Sequence, residues 1–167
     1  EKDNLVLVIG KTEGHIDQSI FARTILDEKN GPPPEVNLFN EKNNGVSLLN
    51  LIEKDYIKSA HDVSLGGIIT AISKMSIKGN KGIKLNKFKN LMNEIDYLFA
   101  EDQGRYVIEV KKKDLKDVIK ILEKNSVHHE ELGFITEKDI IINEKTKVTI
   151  DELKSYNTNW LTNFMSS

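Results

Sequence analysis

The stretch Ser59-Ala60-His61-Asp62-Val63-Ser64-Leu65-Gly66-Gly67 joins an apolar-rich segment to a long apolar helical pattern. It brings a histidine, a carboxylate and a hydroxyl close together and ends in two glycines. Glycine adopts positive φ at low cost and lets another backbone or a phosphate approach closely. The first N–H groups of a helix have no partner within it and attract negative charge. The stretch therefore predicts a sharp turn that opens a helix.

Two interpretations of this turn remain open. In one, the polar side chains and free N–H groups form a binding site for a nucleotide, a phosphate or a neighbouring domain. In the other, Asp62 or Ser64 simply caps the helix and the glycines permit tight packing. Adjacent side chains generally point apart, so His61 and Asp62 make a poor acid/base or metal pair unless the turn is sharp. The candidate site residues of this stretch are His61, Asp62, Ser64, Gly66 and Gly67.

The rest of the chain alternates between strand-like and helix-like patterns. Strands are predicted at 5–9, 56–60, 82–85, 105–110, 131–135, 139–142 and 147–150, and helices at 19–26, 44–54, 68–79, 88–96, 113–124 and from 151 onward. Alternating elements followed by antiparallel-looking strands predict an α/β (α+β) fold, with a mixed sheet packed against helices. In the first helix, Ile20, Ile25 and Leu26 are predicted to be buried, and in the second, Val46, Leu49 and Ile52 are predicted to share one face. The last helix is predicted to begin at an Asp151 cap and to carry Leu153, Trp160 and Phe164, with Trp160 as a core anchor.

Composition limits the classes of function. The chain has 167 residues, which predicts one domain spanning 1–167. The net charge of −2, with both signs interspersed, argues against nucleic acid or an anionic membrane surface as a partner. There is no cysteine, which suits a reducing cytoplasm and rules out thiolate chemistry in these residues. No apolar run is long enough to span a membrane.

A second polar stretch, Leu98-Phe99-Ala100-Glu101-Asp102-Gln103-Gly104-Arg105-Tyr106-Val107, precedes an alternating strand pattern. Glu101 and Asp102 are candidate Mg²⁺ ligands, because Mg²⁺ is held by one or two carboxylates together with phosphate oxygens. Gln103 and Arg105 are candidates for binding phosphate or a partner domain. The alternative is a solvated strand entry in which Arg105 pairs with one of the carboxylates.

Together, the two stretches resemble the C-terminal domain of phosphoribosylformylglycinamidine synthase, the synthetase of de novo purine synthesis. The resemblance implies the C-terminal-domain fold of the aminoimidazole ribonucleotide synthetase superfamily, covering essentially all 167 residues as the last domain of a longer multidomain enzyme. Other superfamily members, such as a hydrogenase maturation factor, share the first turn but are disfavoured by the second stretch. A scaffold or interaction domain without its own ligand is the other alternative.

The resemblance also implies a reaction and its participants. The complete enzyme would use ATP and Mg²⁺ to amidate formylglycinamide ribonucleotide with ammonia from a glutaminase subunit or domain. Its catalytic residues would lie in preceding domains of the same chain, so this fragment is expected to be inactive and to hold no cofactor tightly. Two departures support that expectation: Asp17 stands where relatives favour glycine in the loop after the first strand, and Leu65 stands where they favour a polar residue.

The two polar stretches are expected to lie close together, on the face that meets the missing domain. Each places polar residues at the edge of an apolar element, and such sheet-end turns commonly form clefts. By contrast, His128-His129-Glu130-Glu131 is expected to be a solvated segment, since consecutive strand residues face opposite ways.

Overall fold

The structure, a computed structural model, describes residues 1–86 and 92–166. Seven strands are present in this part of the chain: β1 (Leu5–Ile9), β2 (Ile57–Val63), β3 (Gly82–Leu85), β4 (Arg105–Val110), β5 (His129–Thr136), β6 (Ile140–Ile142) and β7 (Thr146–Val148). Six α-helices accompany them: α1 (Ile20–Thr24), α2 (Leu38–Glu53), α3 (Gly67–Gly79), α4 (Glu94–Phe99), α5 (Leu115–Lys124) and α6 (Ile150–Ser166). None of these helices is long and apolar enough to cross a lipid bilayer.

The strands form one mixed sheet in the order β2-β4-β1-β5-β3-β6-β7. Five neighbouring pairs are antiparallel, and β3–β6 is parallel. Central β1 is an unbroken apolar run because both of its faces are covered. Val6 and Val8 pack toward α3 and α4, whereas Leu7 and Ile9 pack toward α2 and α5. The predicted mixed sheet packed with helices is confirmed.

The first two helices correct the predicted buried positions. Ser19 does cap α1, with Oγ accepting from Ala22 N at 3.0 Å, but Ile20, Ile25 and Leu26 are exposed. Helix α2 begins six residues earlier than expected, at an Asn37 cap. Its buried positions are Asn44, Ser47, Leu48 and Leu51, so the predicted face of Val46, Leu49 and Ile52 is the solvent face. Apolar spacing alone did not distinguish the two faces, because both carry leucines.

The turn before α3 also differs from the prediction. Strand β2 runs on through His61 and Asp62, which pair with Val107 and Tyr106 of β4. The residue that caps α3 is Gly66, in the left-handed conformation and without a side-chain cap bond. Asp62 and Ser64 are therefore not the predicted helix caps. The predicted helix at 88–96 falls partly on 87–91, outside the described residues, and α4 starts at Glu94.

The last helix is capped and packed differently from the prediction. Thr149 and Glu152 cap it reciprocally, with Thr149 N donating to Glu152 Oε2 at 2.9 Å and Glu152 N donating to Thr149 Oγ1 at 3.1 Å. Asp151 is not the cap. Leu153 packs on the core, but Trp160 is 66% exposed and Phe164 is exposed as well. Trp160 is not a core anchor, because the helix has left the domain surface at that point.

Candidate functional site

The Glu101 carboxylate joins the two sequence motifs. Its Oε1 accepts N–H groups from Gly66 at 2.7 Å and from Ile20 at 2.8 Å. Gly66 immediately precedes α3, and Ile20 opens α1, so one carboxylate meets the positive ends of two helices. The two motifs therefore lie close together, as expected from the sequence. What joins them is a side chain of the protein.

The Asp102 carboxylate is bound by the loop after β1. Oδ2 accepts from Glu13 N at 3.0 Å and Gly14 N at 3.2 Å, and Oδ1 accepts from His15 N at 3.2 Å. Three successive backbone N–H groups form a concave anion site of the kind that binds phosphate in other proteins. Here the anion is internal, and Asp102 is only 7% exposed. Because these three N–H groups already donate to Asp102, they are not free to bind an external phosphate.

Arg105 lies beneath these loops rather than in a cleft. It is 1% exposed, and its guanidinium donates to Ala100 O at 2.7 Å, Asp102 O at 3.0 Å and Thr12 Oγ1 at 3.0 Å. Its Nη1 also lies 3.8 Å from Asp102 Oδ2. Burial lowers the pKa of the Arg105 guanidinium, and the Asp102 carboxylate counteracts this shift. The Arg105 donors therefore face the protein interior, as in the alternative interpretation in which Arg105 pairs with a carboxylate.

The two glycines make room for the protein's own backbone. Both have positive φ, +81° at Gly66 and +70° at Gly67. A Cβ on Gly67 would lie 2.5 Å from Leu98 O and 2.7 Å from Ala100 O. The close approach that glycine permits here is that of the end of α4, which brings Glu101 up to the turn. The geometry explains both glycines without a ligand.

The other residues of the first motif make local contacts. His61 Nδ1 lies 2.6 Å from its neighbour's carbonyl, Asp62 O, and 3.4 Å from Asp62 Oδ1. The Asp62 carboxylate is largely exposed. Ser64 Oγ accepts from Leu65 N at 2.6 Å, and Ser64 O accepts from Gly67 N at 3.0 Å. The side chains of His61, Asp62 and Ser64 thus serve the edge strand and its turn.

Two surface cavities lie beside the motifs, and they are lined by different candidate residues. Asp102 and Gln103 line a polar cavity of about 460 Å³ together with Lys11, Glu13 and Glu41. His61 lines a different cavity of about 630 Å³, between β2 and the C-terminal half of α3. The nine candidate residues therefore do not converge on one cavity.

Glu101 and Asp102, the predicted Mg²⁺ ligands, are not part of a larger cluster of ligating side chains within residues 1–86 and 92–166. No group of three or more His, Cys, Asp or Glu side chains within them could hold a metal ion. Glu101 and Asp102 direct their carboxylates to different loops, where backbone N–H groups occupy them. The histidine pair behaves as expected: His128 Nε2 lies 3.0 Å from Glu130 Oε1, whereas His129 Nδ1 lies 3.1 Å from Val127 O.

Glu109 is a second buried acid, and the sequence pattern did not predict its role. Glu109 is 9% exposed within β4, and it accepts from Asn4 Nδ2 at 2.7 Å and Ser59 Oγ at 2.8 Å. Burial alone would raise the pKa of Glu109, but in a chain that begins with a free amine at Glu1, hydrogen bonds from that amine, Asn4 and Ser59 lower it overall. The one hint in the sequence was that this glutamate lies within an otherwise largely apolar strand. No sequence pattern indicated that Thr12 would bind Arg105.

Replacing Glu101 by glutamine tests the bridge between the motifs. Glu101→Gln keeps the shape and one acceptor oxygen but removes the charge that faces two helix N-termini. We expect the free energy of unfolding to fall by about 1–2 kcal/mol, measured by urea denaturation. Glu13→Gln is a matched control, because its carboxylate is exposed and pairs with the similarly exposed Lys11. Equal stability of Glu101→Gln and the wild type would contradict the bridging role.

The fold and both motifs define the class of protein. Residues 1–143 match the family described as AIR synthase related protein, C-terminal domain, and the chain belongs to that family.

Known proteins of this class are similar to the chain over most of its length. It is 65% identical over 167 residues to the phosphoribosylformylglycinamidine synthase subunit PurL of Pelagibacter ubique, covering 100% of this chain and 23% of that protein. Among solved structures, Thermotoga maritima PurL complexed with FGAR superposes with a TM-score of 0.76 at 18% identity, over 92% of this chain and 28% of that one. The same protein complexed with ATP gives 0.68 at 16% identity, over 92% and 26%. The chain thus spans about a quarter of the length of these proteins.

Proposed function

We propose that this chain is the C-terminal domain of a phosphoribosylformylglycinamidine synthase. The observation that carries the proposal is the 65% identity to a subunit of that name along all 167 residues. Both sequence motifs lie inside that match. The proposal includes residues 1–167 acting as one domain, which is supported by two cores that share a single sheet.

The proposed reaction belongs to the complete enzyme. ATP phosphorylates the amide oxygen of formylglycinamide ribonucleotide to give an iminophosphate. Ammonia, supplied from glutamine by a glutaminase partner, then displaces phosphate, which leaves formylglycinamidine ribonucleotide, ADP and phosphate. The complexes of Thermotoga maritima PurL with FGAR and with ATP support this choice of substrates. We place the enzyme in the cytoplasm, with Mg²⁺ as the metal that accompanies ATP.

The described groups that could bind phosphate are already engaged inside the domain. The backbone amides of residues 13–15 bind Asp102, and the Arg105 guanidinium is buried. We infer that the domain has a positioning role: Glu101 fixes the turn at Gly66, and exposed Ile20 and Leu65 flank it. Apolar side chains beside a rigid turn suit contact with a neighbouring domain.

The test uses the complete synthetase polypeptide that carries these residues. With ammonium salts as the nitrogen donor, we expect ADP release that depends on formylglycinamide ribonucleotide. The glutaminase is then not needed. The exposed-surface variant Glu13→Gln should keep this activity, whereas removal of residues 1–167 should abolish it. Release of ADP that is independent of the ribonucleotide would contradict the proposal and favour another member of the superfamily.

A further inference from the structure

The distal part of α6 carries an exposed aromatic stripe. Residues 155–166 are all exposed, and the stripe consists of Tyr156 (82% exposed), Trp160 (66%), Leu161 (55%) and Phe164 (66%). Tyr156, Trp160 and Phe164 follow one another at four-residue spacing, and the rings of Trp160 and Phe164 stack with centroids 5.8 Å apart. Such spacing puts side chains on one face of a helix.

The stripe continues the face that already packs on the domain. Ile150 is buried and Leu153 packs on the core, and by helical spacing both share the side of Trp160. The helix therefore has one apolar face along its length, covered in the first turn and exposed beyond it. A dozen helical residues in water are marginally stable without tertiary packing. The exposed part of α6 therefore needs a further surface to pack against if it is to be stable.

The composition of the segment is that of a protein interface. Charged residues make up 30% of the whole chain, but 155–167 contains none. Interface cores are depleted of charge and enriched in Tyr, Trp, Phe and Met, all of which occur here. A helix that lies on a membrane surface carries Lys and Arg on its polar face, and this segment has neither.

We propose that this stripe docks on the part of the synthetase polypeptide that precedes residue 1. This rests on the proposed function, under which the chain is one domain of a longer protein. The base of α6 and the first residue both lie near the C-terminal end of α3: Lys154 Nζ donates to Asn80 Oδ1 at 2.6 Å, and Glu1 lines a cavity together with Lys81, the residue after Asn80. A preceding segment would leave the domain from this same region, which raises its effective concentration near α6.

Hydrogen exchange in the complete synthetase tests the docking, in the absence of glutaminase and at dilutions where light scattering shows a monomer. We expect amides of 157–166 to exchange about 100-fold or more slowly than in a synthetic peptide of residues 149–167. Trp160→Glu should remove this protection. Thr162→Glu, an exposed position on the opposite side of the helix, is the matched control and should keep it.

Three results would overturn the proposal. They are exchange as fast as in the peptide, protection that appears only as concentration raises the oligomeric state, and protection that appears only after glutaminase is added. The ribonucleotide-dependent ADP release of the same preparation separates the two proposals. An active, unprotected enzyme contradicts the docking alone, whereas a protected enzyme without that activity contradicts the proposed function.

Discussion

Arg105→Ala is expected to lower the free energy of unfolding by about 3–5 kcal/mol, the usual cost of breaking a buried ion pair. The substitution removes a guanidinium that is 1% exposed and leaves the carbonyls of Ala100 and Asp102 without their donor. It also leaves the Asp102 carboxylate without its nearest cation. Urea denaturation of the chain provides the measurement.

Two control variants sharpen this test. Gln103→Ala changes an exposed neighbour in the same motif and should shift stability by no more than about 0.5 kcal/mol. Arg105→Lys keeps the positive charge but cannot span three acceptors with one planar group, so it should recover only part of the loss. An Arg105→Ala protein as stable as the wild type, but impaired in phosphate binding, would contradict the structural role.

Gly67→Ala should be the most damaging glycine substitution in the turn. The residue has φ +70°, and a Cβ would lie 2.5 Å from Leu98 O and 2.7 Å from Ala100 O. Because both obstacles are backbone atoms, α4 must move away from α3, and the Glu101 bridge must stretch or break. We expect a loss of about 3 kcal/mol or more in the free energy of unfolding.

Gly79→Ala is the matched control in the same helix. A Cβ at Gly79 meets nothing within 4 Å. Alanine is a better helix former than glycine, so this variant should gain about 0.5–1 kcal/mol. If both variants unfold at the same urea concentration, the close approach at Gly67 does not govern the turn.

Hydrophobic periodicity predicted much of the fold, because an element that buries one or both faces needs apolar residues at the matching spacing. Strand β1 is an unbroken apolar run because both of its faces are covered, and β4 is followed by an amphipathic helix that forms α5. Faces were harder to predict. Helix α2 has apolar residues on two sides, and only the packing decides that Leu48 and Leu51 are inside while Leu49 is outside.

The candidate site was located from sequence, but the roles of its residues were not. Proximity of the motifs followed from their positions beside apolar elements, and it is confirmed. The roles depended on what each carboxylate meets in space. Glu101 and Asp102 meet backbone N–H groups from loops distant in sequence, at residues 13–15, 20 and 66. No local sequence pattern predicts which backbone N–H groups will bind a given carboxylate, since every residue except proline has one.

The magnesium dependence of stability tests most directly whether these carboxylates act as internal anions. Urea unfolding of the wild type and of Asp102→Asn is compared with and without millimolar Mg²⁺. We predict that Mg²⁺ leaves both unfolding midpoints unchanged, and that Asp102→Asn lowers the free energy of unfolding by about 1–3 kcal/mol in either condition. A ligand that binds only the folded state raises its stability. An increase in the wild-type midpoint with Mg²⁺ that is absent in Asp102→Asn would contradict the account.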